Sequence, residues 1–217
     1  MEGKQSKTNK MKKKLIILAL AMFGYANAQK GTFLVMGSVG FESVKNSFGV
    51  NETKNNVFTF SPKVGYQVND NWTFGIEASV GGSKEETLTV NGGGFLVTNT
   101  TKNTGVSVGP FARYTQPISE IFSAYVDMGI GFQSGKVTNE TPAPFPPFPT
   151  LTTTTKGDGI YVGVTPAIFI NVKKNFGLNF SIGGLGYETF NYDGGSDNNR
   201  FYLNFGQTVN IGISKNF

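Results

Sequence analysis

The sequence has 217 residues and contains no cysteine and no histidine. These absences exclude disulfides, thiol chemistry, the common zinc, haem and copper sites, and Ser-His-Asp or Cys-His nucleophiles. Charged residues make up 15% of the chain, against roughly 25% in an average soluble domain, while Gly (29) and Phe (20) are abundant. The length suits a single domain.

The first predicted element, residues 1–28, has the three parts of a secretory signal peptide. Six lysines precede the apolar run Leu15–Tyr25, and a small-x-small motif ends at Ala28. We therefore expect cleavage between Ala28 and Gln29. The alternative, a membrane-anchoring helix, would need about 20 apolar residues, and the run has 11.

The apparent basicity of the chain lies in this signal peptide. Its removal takes the 19 cationic residues to 13 and the 14 anionic residues to 13, so the remaining chain has no net charge. A nucleic-acid partner, which would depend on a basic surface, is therefore not expected. Met11 is followed by three lysines and is the more natural start, which would make residues 1–10 an upstream extension.

From residue 29 onward the dominant signal is alternation of apolar and polar residues, which predicts strands. Residues 58–68 alternate, an Asx-rich turn follows at 69–71, and alternation resumes over 72–80. Asx residues between two alternating runs indicate a tight hairpin. The same arrangement recurs at 106–114 with 122–132 and at 160–170 with 176–182, and further strands are predicted at 32–41 and 201–213.

An internal repeat indicates how these strands are connected. Pro62, Pro110 and Pro166 each lie eight residues before a short turn, at intervals of 48 and 56 residues. Each proline is expected to mark a bulge or weakened pairing, and the repeat indicates either duplicated ancestry with a tolerated bend or a gating role. Long loops are predicted at 43–56, 82–104, 134–158 and 188–199.

Eight strands of about 11 residues, with short turns at one end and long loops at the other, predict an all-β fold. The expected architecture is an eight-stranded antiparallel up-and-down transmembrane β-barrel formed by residues 29–217. A soluble barrel would need a charged outer surface. The polar stripe here is instead small and neutral, and suits a packed lumen. Aromatic residues fall at both strand ends, as expected of interfacial girdles: Tyr66, Trp72, Tyr114, Phe122 and Phe176 near the short turns, and Phe41, Phe58, Phe132 and Phe201 near the long loops.

Two segments carry a family resemblance. Ser61–Tyr66, with the sequence Ser-Pro-Lys-Val-Gly-Tyr, stands before an Asx turn. With the signal peptide and eight alternating strands, the chain resembles the eight-stranded outer-membrane β-barrel family that includes the OmpA transmembrane domain and OmpX-like proteins. The resemblance implies a location in the bacterial outer membrane with both termini in the periplasm, and membrane lipid and the barrel-assembly machinery as partners. The last strand resembles the signal read by that machinery, through Phe205, Val209, Ile211, Ile213 and Phe217.

Four charged residues are predicted to face the lumen. Lys63 and Glu77 are equidistant from the turn centre at residue 70 and should pair across the hairpin. Arg113 and Asp127 also point inward by parity, though not directly opposite one another. An eight-stranded barrel is just wide enough for side chains, so these four residues predict an internal ion-pair network. A gate or proton path is the functional alternative, and Glu77 with Asp127 as the acid and base of a hydrolase is a further one.

Residues 141–155 form a Pro-rich segment with five of the nine prolines and two interleaved phenylalanines. Such a segment is stiffened towards polyproline II, and is expected either to dock an extracellular partner or to be a variable external loop. The predicted function is therefore structural or surface-interactive, through external loops, with no enzymatic activity and no cofactor. The alternative is a small porin that passes ions or small solutes.

Overall fold

The computed structural model describes residues 31–90, 94–143 and 149–217, with only the backbone described at 206–209. The predicted signal peptide and its cleavage site at Ala28 and Gln29 lie outside these residues. The described residues include no helix long and apolar enough to cross a membrane. Their strands are β1 (Phe33–Phe48), β2 (Asn51–Gln67), β3 (Trp72–Val90), β4 (Leu96–Pro117), β5 (Phe122–Thr141), β6 (Leu151–Lys173), β7 (Phe176–Tyr192) and β8 (Ser196–Asn216).

The eight strands form a closed antiparallel barrel in sequence order, which confirms the predicted fold. Each strand pairs with the next, and β1 pairs with β8 from Leu34–Asn216 to Ser38–Gly212. Because the barrel is closed, every strand has a hydrogen-bonded neighbour on both sides, and the sheet has no free edge where all eight ladders are formed. The β1–β8 seam is the shortest of the eight ladders among the described residues.

The three predicted short turns lie at one end of the barrel, and their sequences explain them. The Asn69 side-chain oxygen accepts hydrogen bonds from the backbone N–H groups two and three residues later, at 3.0 and 2.8 Å. The Ser119 hydroxyl does the same at 3.3 and 3.0 Å. Lys174 and Asn175 both have positive φ (48° and 59°), as a two-residue hairpin turn requires. The repeat in the sequence is thus a repeat of hairpins.

The predicted long loops at the other end are wrong in extent, because the strands continue through most of them. Those strand ends are rich in Thr, Asn, Lys and Glu. Apolar residues therefore no longer alternate with polar ones there, although the backbones remain paired. One example is the pairing of residues 137–141 of β5 with 151–155 of β6. The segments that actually connect the strands here are 49–50, 91–95, 142–150 and 193–195.

The three repeated prolines do weaken the pairing, but only one lies at a bulge. The β2–β3 ladder skips Pro62 and the β4–β5 ladder skips Pro110, and in both the register continues unchanged on either side. At Pro166 the register shifts between Val164 and Ala167. Because proline has no backbone N–H, each repeat loses one hydrogen bond of its ladder. At Pro62 and Pro110 this loss occurs without an extra residue in the strand.

The two faces of the barrel are reversed relative to a soluble protein. Outward apolar side chains such as Phe41 and Phe132 are 74% and 72% exposed, whereas the inward charged residues Arg113 and Asp127 are each 5% exposed. A continuous exposed apolar surface of this kind is expected of a protein surrounded by lipid. Of the nine predicted interfacial aromatics, Trp72 is half-buried and stacks on Phe74. The other eight are 38–74% exposed: Tyr66, Tyr114, Phe122, Phe176, Phe41, Phe58, Phe132 and Phe201.

Candidate functional site: a charged layer across the lumen

The structure brings the four predicted lumen charges into one cluster. The Lys63 ammonium lies 2.7 Å from Glu77 Oε2 and 2.9 Å from Asp127 Oδ2. Arg113 donates to both oxygens of Asp127, from Nε at 2.6 Å and from Nη2 at 2.9 Å. Such a bidentate pair is the strongest hydrogen-bonded geometry open to a guanidinium and a carboxylate. Asp127 is therefore the centre of the cluster, shared by both cations.

The placement of one pair differs from the prediction. Lys63 and Glu77 are directly opposite in the β2–β3 ladder, as expected. Arg113 and Asp127 were predicted to be offset, but they are also directly opposite, in the β4–β5 ladder. The turn between these strands spans 118–121, so its symmetry point lies further along the chain than the sequence pattern placed it.

Further side chains hold the cluster in place. The Tyr161 hydroxyl donates to Glu77 Oε1 at 3.0 Å. The Arg113 guanidinium lies 3.8 Å from the centre of the Tyr125 ring, and its Nη2 donates to Met36 Sδ at 3.2 Å. Stacking on an aromatic face is favourable for a guanidinium removed from water. Each of the four charged groups therefore has, in addition to one ion pair, either a second ion pair or a contact with an uncharged side chain.

The network continues to the far wall of the barrel. The Tyr125 hydroxyl donates to Asn179 Oδ1 at 3.0 Å, and the Asn179 amide donates to Ser214 Oγ at 2.8 Å. Every strand from β1 to β8 thus contributes at least one side chain to a single layer: Met36, Lys63, Glu77, Arg113, Tyr125 with Asp127, Tyr161, Asn179 and Ser214. The layer spans the lumen.

Sequence reasoning missed the uncharged members of this layer. Tyr125 shares the inward parity of Asp127 on β5, while Tyr161 and Asn179 each lie between two apolar residues that face outward on β6 and β7. The alternation of apolar and polar residues therefore already placed these three side chains on the inward face. They were missed because only charged residues were considered as members of the site. The contact between Lys63 and Asp127 joins β2 to β5, which are not neighbours. It depends on the closed shape of the barrel and has no signal in local sequence.

The layer is charge-balanced and largely removed from water. The side chains of Arg113 and Asp127 are each 6% exposed, and those of Lys63 and Glu77 are 18% and 15% exposed. Burial of a charge is costly unless it is paired and hydrogen-bonded, and two cations here face two anions. A glycine on β5, across the lumen from β3, makes room, because a Cβ at Gly129 would collide with the Glu77 carboxylate. The layer is thus a packed plug.

Above the plug, towards the long strand ends, the lumen contains an open cavity of about 390 Å³. Hydroxyl, amide and aromatic side chains line it, among them Thr59, Ser79, Asn103, Phe190 and Tyr192. Within the described part of the chain, no group of three or more Asp and Glu residues could hold a metal ion.

Three residues of the predicted assembly signal lie along the outside of β8. Phe205, Ile211 and Ile213 are 53–56% exposed, while the side chain of Val209 lies outside the described residues. Phe217 exchanges two backbone hydrogen bonds with Phe33, at 3.0 and 2.9 Å. The last residue of the sequence therefore extends the β1–β8 seam.

Solved structures of outer-membrane proteins are similar to the chain, and three of them illustrate the likeness. Ail, the attachment invasion locus protein of Yersinia pestis, solved with the heparin analogue sucrose octasulfate, has 17% identity and a TM-score of 0.40, covering 87% of this chain and 100% of its own. A major outer membrane protein of Thermus thermophilus has 12% identity and a TM-score of 0.45, covering 87% and 100%. Neisserial surface protein A has 13% identity and a TM-score of 0.37, covering 86% and 97%.

No curated protein matches the chain. The family description "Outer membrane protein beta-barrel domain" matches residues 15–217, which is nearly the whole sequence. The exposed apolar belt, the closed eight-stranded topology and this match agree with one another. The chain belongs to the family of outer membrane protein β-barrel domains.

Proposed function

We propose that this outer-membrane barrel has a structural or surface-interaction role carried by its external segments, that it is not an enzyme, and that its lumen does not pass solutes. Both termini lie in the periplasm, and the long strand ends and their connections face outwards from the cell. The observation that carries the proposal is the layer of paired side chains to which all eight strands contribute.

The carboxylates of the layer are poor candidates for catalysis. Glu77 and Asp127 are each engaged by a cation at 2.9 Å or less, and Glu77 also accepts from Tyr161. A general acid or base needs room for a substrate beside it, and a packed eight-stranded lumen provides little. The same packing argues for a structural role of the ion pairs.

A small porin remains the second candidate function. The open cavity of about 390 Å³ above the layer supports it, because that half of the lumen could hold water or a small solute. Passage would still require the four charged side chains to separate. The Lys63, Arg113 and Asp127 contacts at 2.6–2.9 Å would have to break together.

The Pro-rich segment is the proposed site for an extracellular partner. Residues 144–148 lie outside the described residues, and Thr141 and Leu151 form the last pair of the β5–β6 ladder. The segment that can be exchanged without removing a ladder pair is therefore 142–150.

Replacing residues 142–150 with a short Gly/Ser turn tests this role. We expect the barrel to fold as before, because connecting segments outside the paired strands tolerate exchange, while attachment of producing cells to one another and to polystyrene falls. Folding is checked by heat-dependent mobility in SDS. The control replaces residues 91–95, on the same rim, with Gly and Ser at equal length. Unchanged attachment, or an equal loss in the control, would contradict a role for 142–150, and loss of folding would place the segment in the barrel wall.

A further inference from the structure

Outward-facing lysines follow one rule on six consecutive strands. On each of β1 to β6, a lysine lies four residues beyond the last side chain of the continuous outward apolar belt. Residues four apart on a strand point to the same face, and these apolar side chains are 49–74% exposed. The pairs are Phe41 with Lys45, Phe58 with Lys54, Val80 with Lys84, Val106 with Lys102, Phe132 with Lys136, and Ile160 with Lys156.

These lysines also face one another in the sheet. Lys45 is directly opposite Lys54, Lys84 is opposite Lys102, and Lys136 is opposite Lys156. Like charges directly opposite in adjacent strands destabilise a sheet. Three such pairs at one level of the barrel therefore call for compensating negative charge.

These six lysines form a lysine row, and the protein supplies negative charge to only part of it. Lys45, Lys84 and Lys102 form ion pairs with Glu52, Glu86 and Glu140 at 2.8, 2.6 and 2.6 Å. Among the described residues, Lys54, Lys136 and Lys156 form no ion pair, and the exposed Asp158, which lies two residues from Lys156 on the same face, is not within ion-pair distance of either Lys136 or Lys156. Lys136 and Lys156 are exposed, and they are one of the directly opposite pairs. Lys102 lies diagonally across from Lys136, since its own partner on β5 is Thr138.

We propose that Lys136 and Lys156, with Lys102 beside them, bind the phosphate of a phosphorylated glycolipid headgroup in the outer leaflet of the membrane. The inference rests on the proposed function, because it needs the long strand ends to face outwards. Lysine binds phosphate as a point charge with several donors. A phosphate between these two strands would reduce the repulsion between Lys136 and Lys156, which Asp158 on the same face does not relieve by a direct ion pair.

The spacing of the row identifies a lipid as the source of the phosphate. Four residues span about 13 Å along a strand, or about 10 Å along the membrane normal after a tilt of roughly 40°. Lysine stems can bend towards the headgroup layer from that height. The belt directly below, at Phe132, Ile160 and Val106, would contact the acyl chains of the same lipid. Binding of a free phosphate would not require the lysines to lie at a constant distance of four residues from the apolar belt.

The test measures lipid retention by the refolded chain. Barrels are inserted into phosphatidylcholine vesicles containing a minor fraction of diphosphoryl lipid A, or of the same lipid after enzymatic removal of its phosphates. Lipids that remain bound after extraction are quantified by native mass spectrometry. We expect retention of the phosphorylated lipid in preference to the dephosphorylated one. The double variant Lys136→Gln, Lys156→Gln should weaken that retention about 10- to 30-fold, given the typical contribution of a lysine near an anionic surface.

The matched control is the double variant Lys173→Gln, Lys174→Gln. It removes the same charge at the opposite, short-turn end of the barrel, and should retain the phosphorylated lipid as wild type does. Equal retention of both lipids, a Lys136/Lys156 variant that binds like wild type, or inorganic phosphate alone competing as strongly as the lipid would each overturn the inference. Insertion is checked first by heat-dependent mobility in SDS. A chain that does not insert contradicts the proposed function as well, whereas an inserted barrel without lipid preference contradicts only this inference.

Discussion

Asp127→Ala should lower the free energy of unfolding by roughly 3–5 kcal/mol, the usual cost of leaving a buried charge without its partner. Asp127 accepts both hydrogen bonds of the Arg113 fork and the Lys63 ammonium. Arg113 is only 5% exposed and would keep Met36 Sδ as an acceptor and the Tyr125 ring as a neighbour. The measurement is urea unfolding of the refolded barrel in detergent micelles.

Two matched variants separate this effect from general damage. Glu77→Ala should cost less than Asp127→Ala, because Lys63 would keep its contact with Asp127. The double variant Arg113→Ala, Asp127→Ala should recover part of the loss, since neither charge is then left alone. If the effects of Arg113→Ala and Asp127→Ala, each measured alone, simply add in the double variant, Arg113 and Asp127 are not coupled and the proposed layer is wrong.

Deletion of Phe217 should reduce both the stability of the barrel and its level in the outer membrane. Phe217 exchanges two backbone hydrogen bonds with Phe33, and the β1–β8 ladder beside them has five residue pairs. At roughly 0.5–1.5 kcal/mol for each hydrogen bond, the deletion should cost about 1–3 kcal/mol of unfolding free energy. In cells we expect reduced insertion and degradation of the protein in the periplasm.

Phe217→Ala distinguishes the two proposed roles of this residue. The substitution keeps the backbone hydrogen bonds and removes the ring. Refolding into detergent should therefore be close to wild type, while insertion in cells falls if the assembly machinery reads the aromatic ring. Wild-type surface levels in both variants would show that Phe217 is dispensable for assembly. Equal loss of refolding in both would assign its effect to packing of the ring.

The strands and short turns could be predicted because their signals are local. Period-two alternation reports which face of each strand is apolar, and a side-chain oxygen such as that of Asn69 closes a turn within three residues. The Lys63–Glu77 pair followed from the symmetry of such a turn. The strand ends above the apolar belt were missed because pairing there, as at 151–155 of β6, continues without alternation of apolar residues.

The lumen cluster was predictable only in part, for a similar reason. Parity placed Lys63 and Asp127 inside the barrel, but their contact at 2.9 Å joins strands that are three apart in the barrel order. Barrel diameter and strand stagger decide such contacts, and neither is visible in a local pattern. The same holds for the hydrogen bond between Tyr161 and Glu77.

Conductance of the wild-type protein in a planar lipid bilayer tests the closed lumen most directly. Because the paired side chains of the layer occupy the cross-section that water would need, we expect at most small, infrequent steps. The double variant Arg113→Ser, Asp127→Ser, which removes two buried side chains without changing the net charge, should open more often. Large, steady openings of the wild-type protein would contradict the account and favour a porin.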